Sequence, residues 1–423
     1  MNKKTLTITA FALFSLFFGA GNLILPPLLG FKSGNAWWLV NLGFCLSAVL
    51  IPLLGILAHA RLQGTLFDFA KTVSPNFSLV YCYIIYAIAI ALPSPRTASV
   101  THEMAIQSVW NTPSLLTSLI YFALVYLFVI NRSKILDLVG KLLTPGILII
   151  LLLIVVTAMG TMDFDFSDPI LKHPLSDGFL EGYQTFDAIG AVVVGAVIII
   201  SVNLKDKTAS YQAKKSLIRK AGFLAGLGLF LVYAGLILTG ALFSDVFPAD
   251  ITRTSLLSGI STETLGSTAT LFLSLLVSLA CFTTAVGIVT GTSDFVRARF
   301  NDSQLAYRIT ALLGCVLGVL IGQFNVGYII AVALPALMFI YPITIVLILL
   351  NVLPEKWASP AVFRWVVVTT IVFSIPDFLG TLGFPLTSEL YPEWLPLTQY
   401  QLGWVLPAVA AFVVGNVMEK WGE

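Results

Sequence analysis

A chain of 423 residues that is 58% hydrophobic and 10% charged, with a mean hydropathy of +0.95, is not a soluble domain, for which about 25% charged residues is ordinary. The formal net charge of +2 comes with no basic run interleaved with aromatics, so nothing points to nucleic acid as a partner. The composition is that of an all-α polytopic membrane protein in contact with the lipid bilayer.

Membrane-length apolar segments fall at about 7–30, 36–58, 78–107, 115–131, 137–161, 179–203, 217–243, 266–296, 305–322, 326–351, 361–379 and 399–418, given ~20 residues per helical span. Twelve spans put both termini on one side. Nearly all lysines and arginines then lie on the amino-terminal side. Only Lys32, Lys172 and Arg253 fall opposite, and Arg96 lies within a span. That asymmetry predicts cytoplasmic termini. Lys3 and Lys4 before an apolar run resemble a signal peptide, but no small-x-small cleavage site follows, so a retained first helix is expected.

The first segment contains Ser15-Leu16-Phe17-Phe18-Gly19-Ala20-Gly21-Asn22, followed by Pro26-Pro27. Gly costs about 1 kcal/mol relative to Ala inside a helix, and Asn competes for backbone hydrogen bonds. In hydrocarbon, freed backbone groups are tolerated only against protein or a polar cavity. The pattern therefore predicts a broken helix whose exposed backbone binds something.

Span 3 carries Pro93-Ser94-Pro95-Arg96, then His102-Glu103. The prolines predict a kink. Arg96 and Glu103 stand two turns apart on roughly one face, as structural or coupling charges, since an ionisable group inside a membrane usually has a partner and a function. An equal reading puts His102 and Glu103 at the outer interface. His102-Glu103 does not open a zinc-protease motif, because position 106 is Ile106.

Span 6 repeats the anomaly of span 1. Glu181-Gly182-Tyr183-Gln184-Thr185-Phe186-Asp187-Ala188-Ile189-Gly190 places an acid and two glycines ahead of the apolar 191–200 run. Two interrupted helices five spans apart predict an inverted repeat, with 1–161 related to 179–351 and substrate at the paired breaks. The competing reading has Asp187 near the outer headgroups and the span starting later.

In span 8, Ala280, Thr283 and Thr284 share one face within a turn. Two hydroxyls beside a free carbonyl suit an alkali cation, although threonines in membrane helices commonly bond their own i−4 carbonyl. Gly314, Gly318 and Gly322 in span 9, and Gly222 with Gly226 in span 7, read as packing stripes. Pro335 and Pro342 predict a bend in span 10. Spans 11 and 12, at 361–418 and joined by a proline-rich loop, fall outside the repeat as peripheral helices of a single domain, 1–423. Cys45, Cys82, Cys281 and Cys315 stand singly in apolar segments and suggest neither disulfide nor zinc.

Phe18 to Gly30, Pro95-Arg96-Thr97-Ala98, Gly182 to Ala188 and Thr283-Thr284-Ala285 resemble the signatures of the bacterial branched-chain amino acid:cation symporters, the BrnQ or LIV-II carriers. The resemblance runs nearly end to end. The chain departs from it at Leu25, where an aromatic is usual, and at Gln184-Thr185-Phe186, where Leu-Thr-Met is common. It implies Na⁺-coupled uptake of leucine, isoleucine and valine across the bacterial cell membrane, with no enzymatic activity, organic cofactor or obligate protein partner.

It also implies the fold of the sodium-coupled leucine transporters (LeuT-like, five plus five spans). By the resemblance, the amides of Ala20 and Gly21, beside Gly19, receive the substrate carboxylate. Carbonyls of Ser15 and Phe18 join the Ala280 carbonyl and the Thr283 and Thr284 hydroxyls around Na⁺. Asn22 lies near the substrate or a second ion. Phe186 and Ile288 contact the apolar side chain, and span 6 backbone around Asp187, Ala188 and Gly190 takes the ammonium.

Overall fold

The computed structural model describes residues 3–19, 21–107, 110–131, 135–193, 195, 211–384 and 396–422. Within them every regular element is helical. In chain order these are α1 (Lys3–Phe17), α2 (Gly21–Ser33), α3 (Trp37–Cys45), α4 (Ile51–Leu62), α5 (Leu66–Lys71), α6 (Pro75–Ala91), α7 (Pro93–Thr101), α8 (Ser114–Asn131), α9 (Ile135–Thr161), α10 (Pro174–Glu181), α11 (187–193), α12 (Tyr211–Leu242), α13 (Arg253–Arg299), α14 (Gln304–Gly322), α15 (Val326–Val352), α16 (Pro360–Thr381) and α17 (Val405–Gly422).

Among the described residues, eight helical stretches are long and apolar enough to cross a membrane, and Thr5–Ser15 and Pro145–Thr161 are shorter apolar helices. The chain is thus a multi-pass membrane protein. One of the eight, Gly21–Leu62, has 42 residues. At 1.5 Å per residue that is about 63 Å, twice the hydrocarbon thickness. A 3-10 turn at Gly34–Ala36 interrupts it, with Gly34 at φ 47°. The 47-residue α13 is likewise divided by Gly266, at φ 83°.

Helix starts follow local chemistry. Ser74 accepts the Phe77 N–H ahead of Pro75, and Thr252, Ser303, Asn325 and Ser359 cap α13, α14, α15 and α16 in the same way. The prolines of span 3 do divide it, at Leu92 between α6 and α7. By contrast, α15 runs through Pro335 and Pro342 without interruption.

Two helix crossings are set by glycine. A Cβ on Gly30 would collide with the Ile237 carbonyl and one on Gly240 with the Pro27 carbonyl, so α2 and α12 meet backbone to backbone. Gly43 and Gly178 do the same for α3 and α10. The span 9 stripe packs as expected, with Gly314 against Ile90 and Gly318 against Phe122. The span 7 pair divides: Gly226 meets Leu53, whereas Gly222 faces open space.

The buried residues form two cores. The first gathers Phe17, Phe18, Leu23 and Ile24 with Tyr233 and Ile237 of α12 and Val277 and Cys281 of α13. The second gathers Tyr183, Phe186, Ala188 and Ile189 with Tyr341 and neighbours on α15, and with Val362 and Val366 of α16. In this core α16 packs on α15. The proline-rich loop before α17 falls mostly outside the described residues. All four cysteines are free and buried.

Candidate functional site

The first break follows Phe17. Phe18 N–H still reaches the Phe14 carbonyl (2.9 Å), Gly19 N–H turns to Phe17 (2.9 Å), and Asn22 N–H returns to Gly19 (3.1 Å). Ala20 lies outside the described residues. The Asn22 side-chain amide donates to the Phe17 carbonyl at 2.6 Å, satisfying an acceptor that the broken helix has freed. Phe18 is buried and Ser15 is exposed.

The second break has a different local cause. After α10 the chain tightens into a 3-10 turn, Gly182–Thr185, and Phe186 takes the left-handed region at φ 62° and ψ 12°. For a bulky L-residue this conformation costs about 1–2 kcal/mol. Local bonds hold it. Thr185 Oγ1 donates to the Gly182 carbonyl (2.8 Å) and accepts the Asp187 N–H (3.2 Å). Phe186 N–H returns to Tyr183 (3.1 Å), and Gly190 N–H reaches Phe186 (2.8 Å) to start α11. The whole stretch from Gly182 to Ile189 is buried, so Asp187 faces protein at the second break.

The two breaks meet through side chains. Asn22 Nδ2 also stands 2.7 Å from Asp187 Oδ2 and within hydrogen-bond reach of the Tyr233 hydroxyl, so its two N–H groups are shared among three oxygens. Tyr233 in turn donates to Asp187 Oδ2 at 3.4 Å. Arg96 reaches in from α7, where Nη1 donates to the Gln184 carbonyl at 2.8 Å and the guanidinium stands 5.2 Å from the Phe186 ring centroid. Its Nη2 and Cζ occupy the space in which a side chain at Gly21 would sit. Asn22, Arg96, Asp187 and Tyr233 are at most 5% exposed. A cation and an anion are thus held deep in the protein, at consecutive residues of the first break, where an isolated charge is expensive.

Span 8 joins from the other side. A Cβ on Gly19 would lie 3.8 Å from Thr284 Oγ1, so this hydroxyl faces the break. Thr283 and Thr284 both donate to the Ala280 carbonyl at 2.9 Å. That is the back-bonding common to such threonines, yet it leaves both hydroxyl lone pairs available. Three oxygens within one turn beside the break suit a hard alkali cation such as Na⁺.

Other expected residues go elsewhere. Glu103 does not pair with Arg96. Its carboxylate accepts the Thr254 hydroxyl (2.5 Å) and the Val326 N–H (2.8 Å), tying α13 to the amino end of α15, where a negative charge is favoured. Ile288 is half-buried one turn beyond Thr284, and its carbonyl accepts the Thr292 hydroxyl. Gly190 is half-buried and a Cβ there would meet nothing. Tyr233 and the Gln184 carbonyl are the members that sequence reasoning missed. A lone tyrosine in a glycine-rich span carries no signal until α12 is packed on α2.

The family described as branched-chain amino acid transport protein matches residues 2–421. The chain is 34% identical to the branched-chain amino acid permease BraB of Bacillus subtilis, over 98% of this chain and 95% of that one. It is 32% identical to the branched-chain amino acid transport system 2 carrier protein of Pseudomonas aeruginosa, over 97% and 95%. Among solved structures, MhsT in complex with L-phenylalanine superposes with a TM-score of 0.56 at 15% identity, covering 98% of each chain. That likeness is one of fold, shared with LeuT-fold transporters.

Proposed function

The chain belongs to the branched-chain amino acid transport protein family, a family of membrane transporters rather than enzymes, and from that membership we propose that it carries leucine, isoleucine and valine into the cell together with Na⁺. The observation that carries the reading is the buried cluster in which Asn22 and Asp187 join the two breaks at 2.7 Å. The proposed architecture has twelve spans in the cell membrane, both termini cytoplasmic, with spans 1–5 and 6–10 as an inverted repeat. Reciprocal packing supports it. Broken span 1 lies on span 7 through Gly30 and Gly240, while broken span 6 lies on span 2 through Gly43 and Gly178 and again where Gly55 meets Ala191. Each broken helix thus leans on the second helix of the other half, as a pseudo-two-fold requires.

In this reading the substrate carboxylate approaches the amino end of α2 at Gly21, where free N–H groups and the helix dipole favour an anion. Its ammonium is taken by the Asp187 side of the cluster and its apolar side chain by the Phe186 side. The Ala280 carbonyl and the Thr283 and Thr284 hydroxyls, with carbonyls at the end of α1, hold the coupling ion, whose charge draws α13 and the first break together. Alternating access follows if the half-helices reorient at the breaks while the Asn22, Asp187 and Tyr233 bonds keep them registered. An apolar pocket discriminates by only about 1–3 kcal/mol per methylene, so the three substrates overlap.

Asp187 also favours a second reading. A buried carboxylate held by two neutral donors, Asn22 and Tyr233, is a proton site, which would make the coupling ion H⁺ and allow another amino acid as solute. Uptake by purified protein in liposomes separates the two. Saturable leucine, isoleucine and valine uptake accelerated by an inward Na⁺ gradient is expected. Sodium-independent uptake with a steep pH dependence would transfer the coupling to Asp187.

A further inference from the structure

Arg96 is a buried charge, 5% exposed, without a counter-ion in contact among the described residues. Among the described residues its hydrogen bond is the one from Nη1 to the Gln184 carbonyl, and a guanidinium has five N–H donors in a rigid fork. The bond to Gln184 and the Phe186 ring fix its plane, and the rest of the fork stands over the Cα of Gly21. On the neighbouring residue, Asn22 holds Asp187. Opposite charges therefore flank the first break at adjacent positions without pairing with each other.

Such a pair stops short of direct contact in the protein alone, and a zwitterion would bridge it. We propose that Arg96 is the principal receptor for the carboxylate of an α-amino acid, binding it through the free edge of the guanidinium over Gly21, while Asp187 receives the ammonium. The inference rests on the transport reading above and deepens it. The helix-end amides at the break then assist a side-chain cation instead of acting alone. It also gives Gly21 its reason, since any side chain there would displace the fork. The two charges become selective for the α-amino acid head group as a unit. A compound lacking the carboxylate leaves Arg96 buried and unpaired, and the discrimination against it is correspondingly large.

The test is binding calorimetry on purified full-length protein at saturating Na⁺, with leucine and with 3-methylbutylamine, which is leucine without its carboxylate. In the wild type the amine binds at least about 100-fold more weakly than leucine. Arg96→Gln lowers leucine affinity by about 100-fold and leaves the amine within about threefold of its wild-type value, so the gap closes. Arg96→Lys, which keeps the charge but loses the fork, narrows the gap by about tenfold. A gap unchanged in Arg96→Gln, or equal losses of both ligands, overturns the proposal; if Arg96→Gln does not fold, an unchanged gap in Arg96→Lys does so. A wild type that ignores leucine but binds another amino acid overturns the substrate alone, and the comparison is repeated with that amino acid and its decarboxylated amine. A wild type that binds no amino acid overturns both.

Discussion

The break after Phe17 and the break before Asp187 face one another across the protein, yet they are built from different residues. The first is written in small residues, Gly19 and Gly21, and one side chain, Asn22, repairs the carbonyl it frees. The second turns on Phe186, a bulky residue at positive φ, held by Thr185 on either side of it and by Arg96 from another helix. Glycine makes a break possible at low conformational cost. A strained aromatic makes one only where tertiary bonds over-determine it. The first break is thus a property of small residues, and the second adds to its local Thr185 bonds a hold from Arg96 of another helix.

That contrast can be broken by substitution. The largest effect is expected at Gly21. Gly21→Val drives a branched side chain into the Arg96 guanidinium and lowers leucine uptake by about 100-fold, whereas Gly190→Ala, with nothing near its Cβ, leaves uptake within about twofold. Equal sensitivity at the two glycines would erase the distinction. Next comes the bond between the breaks. Asp187→Asn removes the anion from the seam, and uptake under a fixed Na⁺ gradient is expected to fall by about 30-fold; wild-type rates would show that the second break contributes shape alone.

A smaller effect is expected where span 8 faces Gly19. Thr284→Ala raises the Na⁺ concentration for half-maximal uptake about tenfold while leaving the leucine dependence at saturating Na⁺ nearly unchanged. An unaltered Na⁺ curve would remove α13 from the site. The smallest concerns the strained turn. Thr185→Val deletes the two bonds that flank Phe186 and destabilises the protein by about 1–3 kcal/mol, read as a lowered melting temperature of the purified protein with and without leucine. If melting is unmoved, the Phe186 conformation is held by Arg96 and packing instead.

Much of the fold was legible because its causes are local. Hydrophobic runs, helix caps and the Gly19-Ala20-Gly21-Asn22 interruption state their consequences within a few residues. The face that carries Thr284 turns its hydroxyl toward Gly19. Glu103 shows the limit of such reading. Its spacing from Arg96 suggested a common face, but the structure sends Glu103 to the amino end of α15 and Arg96 to the breaks. Helical spacing says which residues lie together on one helix and nothing about which neighbour each one meets.

The sequence by itself determined that this is a helical membrane protein whose first apolar segment is interrupted at its glycines, since neither the apolar runs nor those glycines need a distant partner to act. Tertiary structure decided what the interruptions hold. Tyr233 enters only because α12 crosses α2 at Gly30 and Gly240, and Arg96 reaches Gly21 only because α7 packs beside both breaks. Residues 22, 96, 187 and 233 are far apart in the chain, and their chemistry depends on a separation of a few ångströms that only packing sets.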